Sequence, residues 1–97
     1  MTVVCYYVMH AGENKAGALE IALTTLAGIV RPIAGCEGVQ LLRDLGNDRR
    51  FVFVEKWLSV EAHKASGAHV PKEAFAPIMG LVESPPDSGY LDYLVKA

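Results

Sequence analysis

Val3 to Met9 is rich in β-branched and aromatic residues and predicts a strand. It is apolar on both faces, with Val3, Cys5, Tyr7 and Met9 on one and Val4, Tyr6 and Val8 on the other. Such a strand is covered on both sides. After Ala11-Gly12-Glu13-Asn14 the period changes. Leu19, Ala22, Leu23, Leu26 and Val30 fall at helical spacing, so a helix is predicted from Lys15 to about Val30, with Asn14 as its N-cap. Arg31-Pro32 ends it. Gly38 to Asp44 reads as a second strand. A Gly/Asn/Asp-containing hairpin at 45–49 then leads into a third, Arg50 to Trp57. Ser59 is the N-cap of a second helix, which Ser66-Gly67 interrupts and Pro71 restarts, with Phe75, Ile78 and Met79 on its apolar face. A Pro/Ser/Gly loop at 84–89 precedes a last strand, Tyr90 to Val95.

The order β-α-β-β-α-β over 97 residues predicts a single α+β domain spanning 1–97. The fold class is a ferredoxin-like sandwich, an antiparallel sheet with both helices on one face. Alternation in the third strand puts Phe51, Phe53, Glu55 and Trp57 on one face and Val52 and Val54 on the other. Helices cover only one face, so the other needs a second subunit. Two such sheets face to face form a barrel, a dimeric α+β barrel. We assign Glu55 and Trp57 to the face that the helices do not cover, and hence to the barrel interior at the interface of a homodimer.

Composition narrows the function classes. A 52% apolar content is generous for a chain this short and reinforces the expectation of a subunit partner. The net charge of -2 offers no basic stripe for nucleic acid. No apolar run approaches the roughly 20 residues that span a bilayer. No signal-peptide pattern opens the chain, so a cytoplasmic location is expected. Cys5 and Cys36 lack metal or CxxC spacing and read as free thiols.

Two segments carry a resemblance. One is Gly35-Cys36-Glu37-Gly38, opening the second strand. The more specific is Phe53-Val54-Glu55-Lys56-Trp57-Leu58-Ser59-Val60-Glu61-Ala62, a strand ending in Glu-x-Trp followed by a serine-capped helix. With the element order, they make the chain resemble the antibiotic biosynthesis monooxygenase domains of the dimeric α+β barrel superfamily. The resemblance implies oxidation of a small phenolic or quinol-like aromatic by O₂ without flavin, haem or metal. A deprotonated polyphenol is itself the reductant, and the protein supplies a dry pocket, a base and oxyanion donors. Haem-degrading relatives pair the tryptophan with a first-strand asparagine and a histidine on the second helix. Here the first strand has no asparagine, and Gly67 stands near the histidine position.

Each candidate residue has a functional and a plain structural reading. Trp57 either stacks on a planar substrate or fills the barrel centre. Glu55, in an apolar setting, is either a proton acceptor with raised pKa or the partner of Arg43 or Arg31. His69 is the preferred base or donor because the family pattern places a histidine there. His63 is the second histidine candidate. For both, a surface or capping role competes. Six residues apart on a helix, the two face differently, so no metal site is expected of them. Tyr7, on the face of Cys5 and Met9, is chosen over Tyr6 to bond a substrate oxygen. Phe53 shares the face of Trp57, Phe75 is core or pocket lid, and Tyr90 and Asp92 are further candidates for the interior. The alternative to an enzyme is a non-catalytic dimeric module that binds a small molecule or supports assembly.

Overall fold

The computed structural model describes residues 2–97. The elements are β1 (Val3–His10), α1 (Ala16–Val30), β2 (Cys36–Asp44), β3 (Asn47–Trp57), α2 (Val60–Ser66), α3 (Lys72–Leu81) and β4 (Asp87–Asp92), with a 3-10 turn at Gly67–His69 between α2 and α3. The four strands form one antiparallel sheet in the order β2-β3-β1-β4. This is the ferredoxin-like α+β sandwich that the hydrophobic pattern predicts.

Side chains that alternate along β1 and β3 decide where the core sits. Cys5, Met9, Phe51, Phe53, Glu55 and Trp57 are buried on one face. They pack with Leu19, Leu23, Leu26 and Val30 of α1 and Ile78 of α3 in one apolar cluster. The grouping of residues by face therefore follows the alternation. The assignment of that face does not: Glu55 and Trp57 lie under the helices, not on the uncovered side. The uncovered face carries Val4, Tyr6, Val8, Val52, Val54 and Leu42, all half-buried or exposed. A strand pair apolar on both faces carries no mark of which one the helices take.

Four boundaries differ from expectation. Asn14 does not cap α1, because it adopts a left-handed φ of 63° in the turn from Gly12 and leaves Lys15 as the first flanking residue. The last strand is Asp87–Asp92 rather than Tyr90–Val95. Its ladder runs from Val8↔Asp87 to Val3↔Asp92 and stops where β1 stops, so pairing overrides the loop-like Asp-Ser-Gly composition. β2 begins at Cys36 rather than Gly38, and β3 at Asn47 rather than Arg50, because Cys36↔Trp57 and Asp44↔Asn47 extend the ladder at both ends. The second helical region breaks after Ser66 and restarts after Pro71, as the sequence reads. No helix among the described residues is long and apolar enough to cross a membrane.

Candidate functional site

The site grows from one cross-strand pair. Cys5 and Glu55 stand directly opposite each other on β1 and β3, with Tyr7↔Phe53 and Val3↔Trp57 the neighbouring pairs on the same face. The two-residue spacing of Glu55 and Trp57 aligns their side chains, and the indole N–H donates to Glu55 Oε1 at 2.8 Å. Both are buried, Trp57 completely. Burial pushes the Glu55 carboxyl above its ordinary value of 4.5, and the tryptophan donor pulls part of the way back.

His63 comes down onto this pair from α2. The helix starts as the sequence predicts: Ser59 Oγ accepts from the Ala62 N–H at 3.0 Å. Its entry packs against Gly35, whose φ of 90° and close approach leave no room for a Cβ, which would lie 2.9 Å from Ala62 Cβ. One residue further on, His63 Nε2 lies 3.0 Å from the Tyr7 hydroxyl, 3.5 Å from Glu55 Oε1 and 3.6 Å from Cys5 Sγ. Its other nitrogen, Nδ1, lies 2.6 Å from the Tyr90 hydroxyl. The Cys5 thiol also lies within hydrogen-bond reach of Tyr7 and can donate to its oxygen, which leaves the Tyr7 proton for Nε2. We therefore assign Tyr7 O–H as donor to Nε2, and Nδ1–H as donor to the exposed Tyr90 oxygen. The imidazole is neutral at neutral pH, since burial lowers its pKa from 6.5. The short His63–Glu55 separation thus becomes an ion pair only when His63 takes a proton. Burial likewise pushes the Cys5 thiol and the Tyr7 phenol up, so both stay protonated.

These polar groups close one end of a cavity of about 300 Å³. Its walls include Met9, Leu23, Leu26, Phe53, Val70 and Ile78, and Glu55, His63, Tyr7 and Tyr90 stand at the polar end. Lys64, Gly67, Phe75 and Tyr90 line it yet are exposed, so the cavity reaches solvent between α2, α3 and β4. An apolar slot with a few convergent polar groups is the general form of a small-molecule site.

The structure sorts the candidates. His63, Glu55, Tyr7, Phe53, Phe75 and Tyr90 meet at the cavity. His69 does not: it is exposed at the end of the 3-10 turn and outside the cavity, because the break at Gly67 turns that segment outward. Trp57 is no stacking wall; it lies behind Glu55 and does not line the cavity. Asp92 is exposed and also apart from it. Glu55 pairs with neither proposed arginine in the chain. Arg43 bridges to Glu20, and Arg31 donates to the Cys36 carbonyl. In the sequence Cys5 reads only as a free thiol, although its place two residues before Tyr7 puts it on the same face.

A family model for antibiotic biosynthesis monooxygenases matches residues 1–76. The chain belongs to that family. Rv0793 of Mycobacterium tuberculosis has the same fold, with a TM-score of 0.85 at 20% identity over 100% of this chain and 99% of that one. SO0527 of Shewanella oneidensis superposes with a TM-score of 0.77 at 27% identity, covering 94% of this chain and 93% of the other. A Nitrosomonas europaea structure, provisionally named an antibiotic biosynthesis monooxygenase, gives a TM-score of 0.88 at 14% identity over 96% and 90% of the two chains. No curated protein matches the sequence. The match to the antibiotic biosynthesis monooxygenase family spans the strand-borne Glu55-Lys56-Trp57 and the capped helix after it.

Proposed function

We propose that this protein is a cofactor-independent monooxygenase that oxidises a small planar phenol or quinol with O₂, and that His63 is its proton acceptor. The carrying observation is the Tyr7–His63–Tyr90 hydrogen-bond chain at the polar end of an apolar cavity. Family membership supports the reaction class. A phenol entering the cavity gives its proton to Nε2, the lone pair that Tyr7 now occupies. The displaced Tyr7 O–H then donates to the phenolate oxygen. Nδ1–H passes a proton to Tyr90, which is 41% exposed and opens the chain to solvent. Glu55, fixed by Trp57, steadies the transient imidazolium. The electrons come from the substrate: one oxygen atom enters the ring as a quinone carbonyl and the other leaves as water.

The same cavity supports a second reading, a module that holds a planar aromatic without converting it, since its apolar walls recognise a ring without chemistry. Oxygen uptake and product formation with a panel of hydroquinones and naphthols separate the two. On the oxygenase reading, His63→Ala lowers turnover by about 100-fold or more and His69→Ala leaves it unchanged. Binding without product on every substrate, or full turnover by His63→Ala, overturns it. We also propose that the uncovered sheet face, with Val4, Tyr6, Val8, Val52 and Val54, pairs with its copy in a homodimer.

A further inference from the structure

We propose that Cys5, Glu55 and His63 of a single chain form a binding site for a borderline-soft divalent cation of the zinc(II) or cobalt(II) type. The three ligand atoms, Sγ, a carboxylate oxygen and Nε2, all lie within 4.8 Å of one another. Metal–ligand lengths of about 2.3 Å for sulfur and about 2.0–2.2 Å for nitrogen and oxygen set tetrahedral ligand–ligand edges of about 3.3–3.6 Å. Cys5 Sγ to His63 Nε2 is 3.6 Å and His63 Nε2 to Glu55 Oε1 is 3.5 Å, so two edges already have that length.

Three further features fit a metal site. The ligands come from rigid places, two opposite residues of a strand pair and the first turns of a capped helix. Two of the three already have the outer partners that orient metal ligands: His63 Nδ1 on Tyr90 at 2.6 Å and Glu55 on the Trp57 indole at 2.8 Å. One thiolate and one carboxylate balance a divalent charge in a buried place where either alone is costly. Thiolate with imidazole selects zinc(II) or cobalt(II) over magnesium or calcium. Glu55 and His63 line the cavity together with Tyr7, so water or a ligand oxygen can reach a fourth position from it. The metal displaces the thiol proton, so affinity rises with pH. It also occupies the His63 lone pair, so a bound cation and a proton-accepting His63 exclude each other.

The test is a titration without substrate, so its outcome is independent of the oxygenase reading. Cobalt(II) chloride is added anaerobically to pre-reduced Cys36→Ser protein, in which Cys5 is the sole thiol; Cys36→Ala serves equally. Expected are one equivalent bound per chain, a near-ultraviolet thiolate-to-cobalt absorption band, and its loss on adding zinc(II). His63→Ala and the milder His63→Gln weaken binding at least about tenfold, and Trp57→Phe does so about tenfold through Glu55. Absence of the thiolate band with both Cys36 variants, or affinity unchanged in both His63 variants, overturns the site.

Discussion

Replacing Trp57 with phenylalanine separates two contributions that the structure superimposes. The indole fills a fully buried volume and its N–H is the donor to a buried carboxylate. Losing a hydrogen bond to a charged acceptor costs about 1.5–3 kcal/mol, and to a neutral one about 0.5–1.5 kcal/mol. The smaller ring leaves a void that adds about 1 kcal/mol whatever the pH. The total is about 2.5–4 kcal/mol at alkaline pH, above the raised pKa, where Glu55 is ionised, and about 1.5–2.5 kcal/mol at about pH 4.5, where that raised pKa keeps it mostly protonated. Either figure is a large part of the roughly 5–15 kcal/mol that holds a small domain folded. The assay is urea unfolding followed by circular dichroism, at one chain concentration and with a chelator present, since the variant loses the only tryptophan. In a Glu55→Gln background the pH dependence of the penalty should vanish. An equal penalty at both pH values in the Glu55 protein refutes the idea that the indole serves the carboxylate.

Gly35→Ala should destabilise by about 2–3 kcal/mol, because φ there is 90° and the new methyl meets Ala62; a urea midpoint like that of the parent contradicts this. In metal-free protein, the Glu55 contribution to stability is present below 4.5 and lost as pH rises through the raised folded pKa. Glu55→Gln should therefore gain on the parent across that rise, read as a shift of the thermal midpoint against pH. The His63 contribution has the opposite sign: it is present above 6.5 and lost as pH falls through the lowered folded pKa, so His63→Gln should flatten the acid limb of the same plot. Val52→Glu on the uncovered sheet face should convert a dimer to a monomer in light scattering; an unchanged dimer mass places the subunit contact elsewhere.

How much of this was legible can be read from particular residues. Ser59 as a helix cap was readable because capping is local, needing only a hydroxyl before a helical run. The shared face of Cys5, Tyr7 and Met9 on β1, and that of Phe53, Glu55 and Trp57 on β3, were also readable, since alternation by two is a property of the strand itself, whereas the register alone sets the two groups on one side of the sheet. Glu55 shows where local reasoning stops. Both faces of β1 and β3 are apolar, so which one receives the helices depends on how the connections pack back onto the sheet, and that is a tertiary event. His63 and His69 make the same point. Their spacing separates them on a helix, but the choice between them follows from where α2 lies over β1 and β3 and from the break at Gly67. By itself, then, the sequence determined the elements, their order, the fold class and the set of side chains that travel together. Only the tertiary structure decided that this set lies beneath the helices, that His63 rather than His69 completes it, and that Trp57 holds Glu55 instead of walling the cavity. Periodicity is set within a segment, whereas contact is set by the segments that close over it.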